Sequence, residues 1–316
     1  MTPLFIKEDE VRALAPMPDV IDALEQAFRH QAAAQAFNNS RSRLRISGTT
    51  LHMMAASIPG YFGYKAYTSA AGGARFMFFL FNAATTELLS IMEADALGQI
   101  RTGAATGLAT KLMSNNDASE AVLFGAGWQA ESQLQAMDSV RNLKRVWIVN
   151  RKPERRESFI RKMQSLVRAE LLAAESPEKA VRSSRIVTTM TSSREPVLKG
   201  EWLEPGTHVN AAGGNMLLRR EVDDETLLRA HRIVVDSVEQ AKIEAGEFIS
   251  PIETGKRHWE DFVELRDIVS GAKPARTSAT EITFFKSLGL ALEDVAIGKL
   301  VYERALAQAA GRRLEM

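Results

Sequence analysis

Apolar positions follow two rhythms along this chain, and the change between them falls near residue 118. In the first third, "MPDVIDALEQAFRHQAAAQA" sets Val20, Ile21, Leu24, Ala27 and Phe28 on one helical face. The runs "TTLHMMAAS", "YFGYKAYTSA" and "ARFMFFLFNAATTELLSIME" then read as strands joined by glycine or polar turns, which predicts a hairpin-rich sheet. A helix follows in "ADALGQIRTGAATGLATKLM". At about 100° per residue Arg101 shares a face with Leu97, Ala105 and Leu108, so its guanidinium points to the packed side. A buried arginine needs an anion.

Beyond residue 118 the pattern becomes β, α, β, α. Short apolar runs recur at 121–124, 145–150, 168–173, 185–190, 208–212 and 232–237, mostly separated by helix-capable segments. Six such strands predict a doubly wound parallel sheet. The last segment, "SLGLALEDVAIGKLVYERALAQAA", reads as a helix that returns to cover the first domain. The fold class is therefore α/β: a doubly wound (Rossmann) sheet over 116–287, plus a smaller α+β domain formed by 1–115 and 288–316.

Composition narrows the partners. Of 316 residues 45% are apolar, enough to fill real cores, and 40 basic against 39 acidic side chains leave a formal charge of +1. Nothing global steers the chain to nucleic acid or an anionic membrane, so a small molecule is the expected partner. The absence of cysteine excludes disulfides, thiolate metal sites and a cysteine nucleophile, and fits a reducing compartment. The opening "MTPLFIKEDEVRAL" has charges where a signal peptide needs an apolar core, and the run "FMFFLF" is far shorter than the roughly 20 residues of a membrane span. A cytoplasmic location is expected.

"AVLFGAGWQAES" places Gly125, Ala126, Gly127 and, further on, Ala130 between a strand and a helix, the G-x-G-x-x-A form of a dinucleotide fingerprint. Glycines let the backbone approach a pyrophosphate, and the helix start offers free N–H groups. Gly125, Ala126, Gly127, Trp128 and Gln129 are the expected cofactor residues; the alternative is a tight turn that only packs helix on strand. Trp128 packs either on the cofactor or on the sheet edge. The next strand ends at Asn150, where an acidic residue would select NAD. Instead Arg151, Lys152, Arg155 and Arg156 follow, which suits a 2′-phosphate, so NADP(H) is expected over NAD(H).

Three cations stand outside that domain: Arg41 in "NNSRSRLR", Lys65 in "YFGYKAY", and Arg101. Lys65, in an aromatic strand, either reaches a rim or points inward with a lowered pKa. Spacing alone does not separate Arg41 from Arg43 or Arg45. His208 reads as structural, and His30, His231 and His258 show no metal-site spacing, so no metal is expected. Capping accounts for Asp223 and Asp224.

With these residues in place, the chain resembles the ornithine cyclodeaminase and mu-crystallin family over nearly its whole length. The arginine ahead of "LHMMAAS", the "YKAY" lysine, "IRTGAAT", "GAGWQA", "SREPVLKGEWLEPGTHVNAAGG", "RREVD", "VVDSVEQAKIEAGE" and "FKSLGLALEDVA" occur in the family's order. The resemblance implies a first domain that binds substrate and builds a homodimer, and a Rossmann domain for NAD(P). It implies that Arg41, Lys65 and Arg101 hold an amino acid's α-carboxylate, and it assigns Thr102 to the cofactor.

Two departures bear on the reaction. The cyclodeaminases carry an aspartate just after the paired glycines, where this chain has Asn215, and a glutamate where it has His52. Removing ammonia calls for a base, and Asn215 cannot titrate. Reducing an imine needs only a hydride at carbon and a proton at nitrogen. The expected function is thus reduction of a C=N bond beside a carboxylate: a cyclic ketimine such as pyrroline- or piperideine-2-carboxylate, or the imino acid formed from a keto acid and an amine. Lys65 is the first candidate proton donor, His52 the second because its unperturbed pKa lies near neutrality, and Asn215 orients the imine or the nicotinamide amide. Two alternatives stay open: a cyclodeaminase whose acid comes from Glu93 or Asp95, and a crystallin-like protein that binds NADPH and a small ligand without turnover.

Overall fold

The computed structural model describes residues 2–315. The chain divides into two compact units, Met1–Arg101 with Gly289–Met316, and Thr102–Leu288.

In chain order the first unit contains β1 (Leu4–Ile6), α1 (Glu8–Leu14), α2 (Met17–Ala32), β2 (Phe37–Asn38), β3 (Ser42–Ile46), β4 (Thr49–Ile58), β5 (Tyr61–Ala70), β6 (Gly73–Asn82) and β7 (Leu88–Glu93). Helix α3 (Asp95–Met113) carries the unit boundary between Arg101 and Thr102. The second unit continues with β8 (Glu120–Phe124), α4 (Trp128–Val140), β9 (Arg145–Val149), α5 (Pro153–Met163), β10 (Glu170–Ala173), α6 (Pro177–Ser183), β11 (Ile186–Thr189) and β12 (His208–Ala211). After it come α7 (Asp224–Arg229), β13 (Arg232–Val235), α8 (Val238–Glu244), α9 (Ile249–Glu253), β14 (Phe262–Glu264), α10 (Leu265–Val269) and β15 (Thr283–Lys286). The chain then returns to the first unit with α11 (Ala291–Ala307) and β16 (Arg312–Arg313).

The first sheet runs β16-β1-β7-β6-β5-β4-β2, with β3 also paired to β4. Its long central strands are antiparallel, and the two-fold alternation of the sequence sorts their side chains between faces. Met54, Lys65, Phe78 and Leu80 are buried, while Met53 and Tyr64 on the other face are exposed. Helix α11 packs on β4, β5 and β6 and on α2. Its first turn is fixed by Asn38, whose Oδ1 accepts from the Leu292 amide at 3.0 Å.

The second sheet runs β10-β9-β8-β11-β12-β15-β13-β14, parallel throughout. Both faces are covered: Leu123, Val146, Ile148 and Ile186 enter one core, and Val122, Phe124, Val187, Val209 and Phe284 the other. That two-sided burial explains the continuous apolar runs. Eight strands form where six are expected. The added β15 is only "TFFK", every residue buried, too short to show a period and ending on a charge, yet it lies between β12 and β13. Strand order reverses between β8 and β11, the place where open α/β sheets present a crevice. Among the described residues no helix is long and apolar enough to cross a membrane.

Candidate active site

Arg41, Lys65 and Arg101 come together within the first unit, from the loop before β3, from β5 and from α3. Arg41 is buried, unlike the exposed Arg45 on the same segment. Its Nε donates to Met54 Sδ at 3.3 Å and its Nη2 to the Gly289 carbonyl at 3.2 Å. Lys65 is only 1% exposed, and its Nζ donates to Asp294 Oδ1 at 2.7 Å. Arg101 donates from Nη1 to Glu293 Oε2 at 3.1 Å and approaches Asp294 Oδ1 through Nε at 3.3 Å. Gly289 makes this arrangement possible. Its φ is +82°, and a Cβ there would lie 2.1 Å from Arg101 Nη1, so the guanidinium rests directly on glycine backbone.

The anion that Arg101 requires is therefore built in, and the first turn of α11 supplies it. Three buried cations face two buried carboxylates. Burial pushes the Lys65 ammonium down to about 8; Asp294 opposes that fall, while Arg101 and Arg41 add to it. For Arg101 desolvation works against the charge, but Asp294 and Glu293 together raise its pKa above the usual value.

His52 does not behave as its ordinary pKa suggests. It stacks on Tyr67 with ring centroids 4.1 Å apart, and Nε2 lies 3.0 Å from Ser69 Oγ. Desolvation, followed by Arg43, Arg41 and Arg45, lowers it to about 4, so it is neutral at physiological pH and a poor proton donor. The expectation based on an unperturbed histidine is corrected: cross-strand pairing of Arg43 with His52 puts a cation beside the ring. The Glu93 carboxylate and the Asp95 backbone are tied to Glu8 of α1 instead. Glu93 Oε2 accepts from the Glu8 amide at 3.0 Å, and the Asp95 amide donates to Glu8 Oε1 at 2.7 Å.

In the second unit, Gly125 ends β8 with φ +118°, and a Cβ there would stand 2.1 Å from the Met190 carbonyl at the end of β11. Ala126 is half-buried, and Gly127 is the N-cap of α4, where a Cβ would meet nothing within 4 Å. The start of the helix is open at that point. Trp128 is exposed on its first turn, Gln129 is half-buried, and Ala130 is fully buried against the sheet. Thr102, buried on α3, accepts at its carbonyl from Gln133 Nε2 at 3.1 Å. Beyond β9 the Asn150 Oδ1 accepts from the Lys152 amide at 2.9 Å, and Arg151, Lys152 and Arg155 are exposed. Arg156 turns back to the Ala174 carbonyl at 2.9 Å.

Asn215 is half-buried in the loop after β12, and a cluster of charges anchors that loop. Glu221, fully buried, accepts from the Thr191 amide at 2.6 Å, from Thr191 Oγ1 at 2.8 Å and from the Gly213 amide at 2.6 Å. It joins the loops that leave β11 and β12. Lys286, at the end of β15, pairs with buried Glu247 at 3.1 Å. Sequence patterning does not single out Glu221, Glu247, Lys286, Glu293 or Asp294; a lysine closing the short run "TFFK" is the one available signal. His208 is structural, its nitrogens 2.9 Å from Thr283 Oγ1 and 3.0 Å from Asn210 Oδ1. Asp223 caps α7, accepting from the Thr226 amide at 2.9 Å. Among the described residues no group of three or more His, Cys, Asp or Glu could hold a metal ion.

The chain is similar to known proteins over most of its length. Mouse ketimine reductase mu-crystallin is 37% identical over 71% of this chain and 67% of its own length. The Thermococcus litoralis Delta(1)-pyrroline-2-carboxylate reductase, solved with NADH and L-proline, is 31% identical with a TM-score of 0.93, covering 98% of this chain and 100% of that one. An archaeal alanine dehydrogenase dimer with bound NAD is 33% identical over the whole of both chains, again with a TM-score of 0.93. The family model for ornithine cyclodeaminase/mu-crystallin proteins matches residues 1–309, and the chain belongs to that family.

Proposed function

We propose that this protein reduces a C=N bond beside a carboxylate, with a nicotinamide nucleotide as the second substrate. The observation that carries this reading is the buried cluster of Arg41, Lys65 and Arg101 against Glu293 and Asp294. There three buried cations stand beside two buried acids, a positively charged setting suited to receiving a carboxylate. The two guanidiniums bind and orient that group, and Lys65, with its pKa lowered to about 8, gives a proton to the imine nitrogen near neutral pH. Asn215 cannot serve as a base, which favours reduction over deamination; it orients the imine or the nicotinamide amide by hydrogen bonding. The neutral His52 is given no proton transfer.

Gly125, Ala126, Gly127, Trp128, Gln129 and Thr102 are the residues that would hold the dinucleotide. The open start of α4 and the Cβ-free turn at Gly125 fit a pyrophosphate. When bound, the nicotinamide supplies the hydride. Asn150, Arg151, Lys152 and Arg155, with no acid among them, support NADP(H) over NAD(H). The relatives named above that carry NADH and NAD make this finer choice one to measure.

A homodimer is part of the proposal. Opposite α11 the first sheet presents an apolar face with Met53 and Tyr64 exposed and the ring stacks Tyr64–Phe79 and Phe62–Phe81 at 4.6 and 5.0 Å. Faces of this kind are usually covered. Tyr64→Glu is expected to shift sedimentation from dimer to monomer.

The test is loss of reduced-nicotinamide absorbance with pyrroline-2-carboxylate, piperideine-2-carboxylate, and pyruvate with ammonia or methylamine. Consumption with an imine supports the reading. Tight cofactor binding without turnover of any of them overturns it in favour of a binding protein.

A further inference from the structure

Asp294 has a fully buried carboxylate with only one oxygen in use. Oδ1 accepts from Lys65 Nζ at 2.7 Å and lies 3.3 Å from Arg101 Nε. Oδ2 is buried and has no hydrogen-bond partner among the described residues. Leaving such an acceptor unsatisfied is costly, and an N–H donor brought by a ligand would satisfy it. The charged groups around it are Lys65 from β5, Arg101 from α3, Arg41 from the loop before β3 and Glu293 from its own helix. The cations it leans on are those assigned to the substrate carboxylate. In a 2-imino acid the nitrogen and the carboxylate share one carbon, so a group that touches the carboxylate's holders stands within reach of the nitrogen.

We propose that Asp294 binds the substrate nitrogen through Oδ2, so that the site accepts a carboxylate and a protonated nitrogen together and discriminates against oxygen analogues. The inference rests on the imine-reductase reading above. Lys65 gives its proton to the imine nitrogen, forming an N–H that Oδ2 accepts; the hydride then adds to carbon, the C=N π pair becomes the nitrogen lone pair of the amine, and Lys65 is reprotonated from water. An iminium N–H beside a carboxylate forms a charge-assisted hydrogen bond, whereas an ether or carbonyl oxygen there sets one lone pair against another.

The direct test uses the full-length protein with bound cofactor and compares, by calorimetry, L-proline with (S)-tetrahydrofuran-2-carboxylate, the same ring with oxygen in place of N–H. Proline is expected to bind roughly tenfold or more tighter. Equal binding of the two overturns the role of Asp294 while leaving the site itself in place. Binding of neither overturns the reading of the site and the inference with it. Asp294→Asn supplies the second arm: the preference for proline should fall to near parity, and a preference kept in full contradicts the proposal. The comparison in the unaltered protein stands even where the variant does not fold.

Discussion

In the proposed function, the cation cluster of the first unit and the glycine turn of the second each hold an anion, in opposite ways. The turn uses backbone: Gly125, Ala126 and Gly127 are consecutive, and the helix they open supplies N–H groups from its first turn. The cluster uses full charges, drawn from positions 41, 65, 101, 293 and 294 with the Gly289 carbonyl between them, and it pairs cations with acids internally. A backbone site tolerates a charged ligand of any side-chain chemistry. A compensated ionic site is tuned to a single net charge, because each buried ion must be paired. The contrast teaches that the generic half of this molecule is local in sequence and the discriminating half is not.

The largest effect that breaks the contrast is Lys65→Met. Turnover should fall by about a hundredfold or more while cofactor affinity, measured by fluorescence titration, stays nearly unchanged; turnover kept would remove Lys65 from the chemistry. Next is a pair of glycine changes. Gly289→Ala drives a methyl into Arg101 and should raise KM for the imine by roughly tenfold with cofactor binding intact. Gly125→Ala drives one into the Met190 carbonyl and should do the reverse, weakening the cofactor by a similar factor. If both variants weakened both ligands alike, the two sites would not be separable as described.

The pH dependence is a smaller and sharper test. Lys65 must carry its proton to give it, so kcat/KM should decline as pH rises through about 8. A profile flat to pH well above that value would assign the proton to another donor. Replacing Arg151 and Arg155 together by Ala should reduce the preference for NADPH over NADH by about tenfold and leave the NADH constants alone. Smallest is the stability effect of His52. Its folded pKa of about 4 lies below the ordinary 6.5, so the unfolded chain takes up the proton first, and stability is lost as pH falls through that window. His52→Gln should flatten that part of the unfolding curve.

Much of this was legible because it is contiguous. The strand, turn and helix around Gly125 sit in a dozen residues, and β9 ends where a second nucleotide contact is expected. Lys65 was conspicuous as a charge in an aromatic strand, and Arg101 as a cation on an apolar helical face. Glu293 and Asp294 were not, because acids in a first helical turn have a ready explanation in the helix dipole. Their role depends on α11 returning over β5, which no local pattern states. His52 failed for a related reason: its pKa is lowered by burial in the sheet and then by an arginine across a strand ladder, nine residues away in sequence. Lys286 and β15 were hidden by the brevity of the strand.

The most direct single measurement is the stoichiometry of products. The protein is given pyrroline-2-carboxylate with NADPH, and ornithine with NADP in parallel, and proline, ammonia and reduced cofactor are followed. Proline formed in equal amount to NADPH consumed, with no ammonia from ornithine, is the expected result. Ammonia released from ornithine with no net change in cofactor would contradict it and would make the buried acids of α11, rather than Asn215, the decisive feature of the site.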